Sequence, residues 1–308
     1  MIISASRRTD IPAFYSEWFL NRLGKEVVVV NPFNSKQANA IPLNKESVDC
    51  IVFWTKNARP LLDRIDELAG YNYYFQFTVN GYGKTIEPGV PELSDVIGTF
   101  QELSEKIGKE KVIWRYDPIF IDDGHDVGWH ISNFKKIADE LSDYTEKCVF
   151  SFIDMYAKTR RNTSRYGIRE PTKEEMESIA CQLSRVASEH KIGLCTCCEA
   201  IDLDRYGIKH NRCIDGELIR RLFNIMVDDV RDAQRENCGC LKCHDIGVYN
   251  TCLHKCRYCY ATFNPDMADV NSEKNHLDSP LMIGYLDEDV KLYPIKVEKG
   301  KKVPKPFF

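Results

Sequence analysis

Apolar residues recur along the first two thirds of the chain in two alternating rhythms. Short runs at 2–5, 27–30, 50–54, 73–79, 112–116, 148–153 and 192–197 are rich in β-branched and aromatic residues and read as strands. Between them lie stripes at helical spacing: Leu61, Leu62, Ile65 and Leu68, then Leu93, Val96, Ile97, Phe100, Leu103 and Ile107. Further stripes follow: Phe134, Ile137, Ala138 and Leu141, then Met176, Ile179, Ala180, Leu183, Val186 and Ala187, then Leu218, Ile219, Leu222, Phe223 and Met226. Thr172 with Glu175 three residues on opens the fourth stripe as a capping box. The stripes predict helices packed on a sheet.

Repeated strand–helix units predict a parallel sheet with right-handed crossovers. The expected fold class is α/β, a complete or partial TIM-like (βα) barrel over residues 1–235. An open doubly wound sheet is the alternative, weakened because no Gly-x-Gly-x-x-Gly follows the first strand. Gln76, Thr78 and Asn80 share one strand face, and Arg115 shares another with Asp117. Parallel strands covered by helices are apolar on both sides unless one face lines a site, so these positions point to a polar interior. From about residue 236 the chain becomes loop-rich and cysteine-rich, and 236–308 is expected as a segment packed on the barrel. Its end, 291–308, carries six lysines and one glutamate. It reads as a solvated tail, with a phosphate-backbone contact as the alternative.

Composition narrows the function classes. The 308 residues are 43% hydrophobic and 29% charged, as a soluble globular chain would be. A net charge of −4 excludes a globally basic, nucleic-acid-coating surface. The N-terminus lacks a signal-peptide layout and no apolar run is membrane-length, so a cytoplasmic protein is expected. Of the 13 cysteines, only Cys50 and Cys148 precede Cys181. In a reducing compartment such clustering favours metal over disulfides.

The densest cysteine stretch is Cys252-Leu253-His254-Lys255-Cys256-Arg257-Tyr258-Cys259. Three soft thiolates on one loop can converge on one inorganic cluster, and a [4Fe–4S] cluster so held keeps one iron without a protein ligand. A closed zinc or redox site completed by a fourth cysteine is the alternative, and plain buried thiols a third. Polar residues follow the predicted strands: Arg7, Arg8, Thr9 and Asp10, then Asn31 and Asn34, Lys56 and Asn57, Asn80, Arg115 and Asp117, Asp154, and Glu199. In a parallel barrel those ends form the site. Cys195, Cys197, Cys198, Cys213, Cys238, Cys240 and Cys243 supply enough thiols for a second, closed centre, zinc or iron–sulfur.

The C-x3-C-x2-C spacing with Tyr258 before the last cysteine resembles the signature of the radical S-adenosylmethionine (SAM) enzymes. Cys-Arg-Tyr-Cys-Tyr-Ala at 256–261 is also similar to the loop of spore photoproduct lyase relatives. In that superfamily the open iron chelates SAM, and an electron from the cluster breaks SAM to a 5′-deoxyadenosyl radical. The segments Ser-Arg-Arg-Thr-Asp-Ile-Pro-Ala at 6–13, Phe-Trp-Thr-Lys-Asn at 53–57, Arg-Tyr-Asp-Pro-Ile at 115–119, Cys-Ile-Asp-Gly at 213–216, Cys-Gly-Cys at 238–240 and Asp-Ile-Gly-Val-Tyr-Asn-Thr-Cys at 245–252 resemble one bacterial family of unknown function with a radical-SAM-like C-terminal cysteine cluster. That resemblance implies Cys252, Cys256 and Cys259 as cluster ligands and Cys197, Cys213, Cys238 and Cys240 as the second set. It implies a SAM-cleaving enzyme acting on an unknown substrate and fed by an electron donor such as a flavodoxin or ferredoxin. Within it, Arg115 and Asp117 are candidate catalytic residues. Arg7, Arg8 or Arg115 would meet the SAM carboxylate, and Asp117, Asp154 or Glu199 its ribose and sulfonium. A non-catalytic iron–sulfur or zinc protein, as a redox or nucleic-acid-binding module, is the alternative; a nucleic-acid lesion repair lyase is a further one. The chain departs from radical SAM enzymes in two respects: their cysteine loop follows the first strand, whereas here it follows every predicted one, and the glycine-rich SAM-amine contact expected a strand later is not visible. Either the loop follows a late strand such as 246–249 in a circularly rearranged barrel, or an appended segment folds back over the barrel mouth.

Overall fold

The computed structural model describes residues 1–231 and 238–303, apart from the side chain of Lys158. Its centre is one sheet of eight strands: β1 Ile2–Ala5, β2 Cys50–Thr55, β3 Tyr73–Thr78, β4 Val112–Ile119, β5 Lys147–Phe152, β6 Gly193–Thr196, β7 Lys209–His210 and β8 His244–Asp245. All neighbours pair in parallel, in the order β8-β1-β2-β3-β4-β5-β6-β7. The fold is therefore α/β around a large parallel sheet. Among the described residues β7 and β8 exchange no ladder hydrogen bonds, so the sheet is not closed on itself.

Alternation along the strands sends two sets of side chains to opposite faces. Ile3, Ile51, Phe53, Phe75, Phe77, Trp114 and Phe150 pack in one core with residues of the helices Leu93–Ile107, Val127–Leu141 and Lys173–Glu189. The last of these opens with the expected Thr172–Glu175 capping box. Ile2, Val52, Tyr74, Ile113 and Val149 face the other way. They are covered by Cys213, Ile214, Leu241 and the helix Gly216–Phe223, which buries Leu218 and Ile219. Both faces are thus covered by apolar side chains over much of their length, while Thr78, Arg115 and Asp117, on the second face, line a cavity at the strand ends as their polar pattern implied.

Two expectations are corrected. The run at 27–30 is a strand, Glu26–Asn31, but not one of the parallel sheet: it forms an antiparallel hairpin with Asn34–Pro42. The turn at Asn31 and Asn34 brings the chain straight back, so these asparagines sit at a hairpin tip rather than at a strand mouth. The lysine-rich end is not wholly a solvated tail. Lys291–Pro294 adds to that hairpin and Lys301–Lys302 pairs with Ile225–Met226; residues 304–308 lie outside the described residues. The expected boundary at 235/236 also lies outside them. Among the described residues no helix is long and apolar enough to cross a membrane.

His130 lies at the core of the aromatic layer beside the sheet. It is fully buried; its Nε2 donates to Phe120 O at 2.7 Å, leaving Nδ1, at 3.1 Å, to accept from the Tyr116 hydroxyl. Burial drives its pKa down from 6.5 to about 4. Between those values the unfolded chain binds a proton that the folded chain does not, so stability falls as pH falls through that window. The loss amounts to roughly 3 kcal/mol when complete. Denaturant titrations at pH 7 and near pH 4.5 should show this decline, with the His130 ring resonance still neutral at the lower pH. A ring that titrates near its ordinary value contradicts the assignment.

A cysteine-lined cavity at the strand ends

The C-terminal ends of β1, β2, β3, β4 and β6, together with the loop after β8, surround a cavity of about 630 Å³. Two groups of cysteines reach it: Cys252, Cys256 and Cys259 from that loop, and Cys197, Cys198, Cys213, Cys238 and Cys240 from the far side. Such convergence is the general property of parallel sheets, whose sites form beyond the carboxyl ends of the strands.

The first group is held by the join between β8 and β1. The Asp245 carboxylate accepts from Ser4 Oγ at 2.7 Å, Arg7 N at 2.9 Å, Ser6 Oγ at 2.6 Å and Gly247 N at 3.0 Å. Gly247 is required here by space, because a Cβ would stand 2.1 Å from Ser6 Oγ. Past this point Asn250 closes the loop base, its Oδ1 accepting from Phe263 N and Asn264 N, both at 3.0 Å. Buried His254 pins the middle of the loop. Its ring nitrogens stand 2.8 Å from Asp10 Oδ2 and 3.1 Å from Gly89 O, both acceptors. Gly89 lets the two backbones touch, since a Cβ would meet Leu253 O at 2.3 Å.

Burial pushes the Cys252 and Cys256 thiols well up, away from the thiolate form that a metal needs. Local groups pull the other way. Backbone N–H groups of His254 and Asp10 favour the Cys252 thiolate. Cys259 Sγ accepts from Ala261 N at 3.3 Å and Thr262 N at 3.2 Å. Lys56 lies beside Cys256 and donates to Glu87 Oε1 at 2.7 Å. Burial works against the Lys56 charge, but Glu87 and then Cys256 outweigh it and hold the ammonium above its usual range. Glu87 also accepts from the Tyr258 hydroxyl.

The second group is a chain of neighbouring thiols. Cys197 Sγ and Cys213 Sγ are 3.2 Å apart, and the Cys240 side chain hydrogen-bonds those of Cys213 and Cys238. Its bond to Cys240 lowers Cys238 to about 7 despite burial. Arg115 Nη1 donates to Cys213 Sγ at 2.9 Å while its Nε reaches Asp117 at 3.0 Å. Arg7 Nη2 donates to Cys243 Sγ at 3.3 Å, with Asp245 adjacent. One motif therefore recurs three times around the cavity: a cation shared between a carboxylate and a thiol. Among the described residues no three or more Cys, His, Asp or Glu side chains already converge as a ready-made single-ion site.

Of the candidate residues, Arg7, Arg8, Arg115, Asp117 and all seven cysteines proposed as ligands line this cavity. Asp154 and Glu199 do not. Asp154 is exposed and accepts from its neighbour Tyr156 at 3.1 Å, and Glu199 accepts from Phe152 N at 2.8 Å. The residues that sequence reasoning missed are Asp245, Glu87 and His254. His254 sits inside the cysteine motif and Asp245 opens the segment 245–252, so position alone was the available signal for these two, and Glu87 carried none.

The fold and site define an α/β protein with two sets of cysteines facing one cavity at the carboxyl ends of a parallel sheet. The family model described as a domain of unknown function, DUF1848, matches residues 2–261, and the chain belongs to that family. No curated protein matches it. A solved structure from Bacteroides thetaiotaomicron VPI-5482, provisionally named an alpha-L-fucosidase, shares 11% identity over 57% of this chain and 72% of its own, with a TM-score of 0.26. That similarity is too distant to inform fold or site.

Replacing Asp245 by Asn exchanges two acceptors for one and sets an N–H₂ against existing donors. The substitution is expected to cost at least ~2 kcal/mol in denaturant unfolding and to raise amide exchange across 246–252. Unchanged stability and exchange would remove Asp245 from this role.

Proposed function

We propose that this protein is a radical-SAM-like enzyme, with Cys252, Cys256 and Cys259 as the protein ligands of a [4Fe–4S] cluster. The observation that carries the reading is the place of the cysteine loop in the sheet. It follows β8, the edge strand beside β1. In spatial order the loop therefore follows the first strand, as in the radical SAM enzymes, although it comes last in sequence. This favours a circularly rearranged partial (βα) barrel over an appended segment.

The donor set suits the cluster. Three thiols on one loop face one cavity, N–H groups point at two of them, and a cation stands by the third. Hydrogen bonds and nearby charge are what stabilise thiolate-bound clusters. When bound, the cluster would supply the electron that breaks SAM. The chain's own part is to hold and orient. Arg7 and Arg8, which line the cavity, are proposed to meet the SAM carboxylate, and Arg115 and Asp117, which line it too, to meet the substrate. Asp154 and Glu199 lie off the cavity wall and are not assigned a SAM contact. Cys197, Cys213, Cys238 and Cys240 are proposed as a second centre, zinc or iron–sulfur, with Arg115 offsetting thiolate charge.

Protein reconstituted anaerobically with iron and sulfide should cleave SAM to methionine and 5′-deoxyadenosine once reduced with dithionite. Cys256→Ala should abolish that product, at least a hundredfold below the parent on the scale of a lost essential group, while keeping the metal bound at the second centre. An undiminished cleavage rate in the variant, or a parent that holds zinc alone and leaves SAM intact, contradicts the reading.

A further inference from the structure

We infer that the basic hollow on the outer side of the cysteine loop is the docking site of an acidic one-electron carrier protein. This rests on the reading above, because a carrier has a role only if the loop holds a cluster. The hollow, about 400 Å³, is lined by Arg161, Arg165, Tyr166, Lys255, Cys256 and Arg257 among others. Cys256 also lines the main cavity, so one ligand residue separates the two spaces. SAM and substrate would fill the main cavity during turnover. A reductant must then approach the cluster from elsewhere, and this hollow is where the loop meets the outside at a ligand.

The chemistry of the hollow selects the partner. Among the described residues Arg161, Arg165 and Arg257 form no ion pairs, whereas Lys255 is tied to Asp269 at 2.7 Å. Arg257 lies over the Tyr166 ring at 5.3 Å, and its buried Nε has no hydrogen-bond partner. Beside the hollow, the helix Pro265–Ser272 exposes Met267 and Val270, three residues apart on one face. Its acids are Asp266 and Asp269, the second taken up by Lys255. Unpaired cations beside a helix that exposes apolar side chains have the composition of a protein-docking surface. They also steer an acidic partner during encounter. A small anion would leave the apolar pair unused. A nucleic acid would want a continuous basic track, whereas the helix beside this hollow carries Asp266 and Asp269.

The test uses reconstituted full-length protein with two reductants, dithionite and an enzymatically reduced flavodoxin, and the double variant Arg161→Glu/Arg165→Glu. Both arginines are exposed and outside the cavity wall, and an unchanged denaturation curve verifies the fold. Dithionite-driven SAM cleavage should be unchanged. The half-saturating flavodoxin concentration, and the flavodoxin Kd measured directly by titration calorimetry, should each rise about tenfold, a difference that shrinks as salt is raised. An unmoved flavodoxin dependence, or equal losses with both reductants, overturns the docking site. If the parent cleaves no SAM with dithionite, the functional reading itself has failed and this inference falls with it. Single-stranded DNA bound by the parent and lost in the variant, with flavodoxin dependence unmoved, would assign the hollow to nucleic acid instead.

Discussion

One buried carboxylate ties the two ends of the chain together at the site. Asp245 belongs to a strand of two residues, too short to hold its place by ladder hydrogen bonds alone. Its side chain accepts from Ser4, Ser6, Arg7 and Gly247, and so fixes β8 against β1. Everything beyond follows from that join. The loop from 246 onward leaves the sheet at the same end as the residues after β1, so Arg7, Arg8 and Asp10 meet Cys252, His254 and Cys259 across one cavity. A slip at this join would carry the whole loop away from the strand ends.

The second constraint is electrostatic. Burying thiols favours their neutral form, and the cavity gathers many of them. The structure answers with cations that are themselves compensated: Lys56 between Glu87 and Cys256, Arg115 between Asp117 and Cys213, Arg7 beside Asp245 and Cys243. An unpaired buried ammonium or guanidinium would be costly, and so would an unpaired buried thiolate. With a carboxylate on one side, each cation is tolerated in the interior and remains available to the sulfur. Asp117 and Glu87 therefore act on the thiols at one remove.

Much of this was legible from residue pattern, and the exceptions have physical causes. The runs at 2–5, 50–54, 73–79, 112–116, 148–153 and 192–197 all became strands of the parallel sheet, because a strand covered on both faces is a continuous apolar run. The run at 27–30 looked the same but was buried by a different layer, and nothing in its own composition distinguishes the two. Strand β7 escaped because two residues carry no period, and the late strand offered at 246–249 lies instead at His244–Asp245, with no strand at 246–249. Arg7, Arg8, Arg115 and Asp117 reached the cavity because they end strands; Asp154 and Glu199 also follow strands, yet the site did not take them. Strand-end position brings a residue to the right end of the molecule, while its rotamer and neighbours decide which way it points. Glu87 and Asp245 act through partners far away in sequence, and only the fold reveals those.

The central claim is that the polypeptide caps three corners of a cluster and leaves the fourth iron for a small molecule. The most direct measurement is the electron paramagnetic resonance spectrum of the reduced, anaerobically reconstituted protein, taken with and without SAM. The account predicts a [4Fe–4S] signal whose g-values change when SAM is added. A signal indifferent to SAM, or a protein that binds only a spectroscopically silent zinc at Cys252, Cys256 and Cys259, would contradict it.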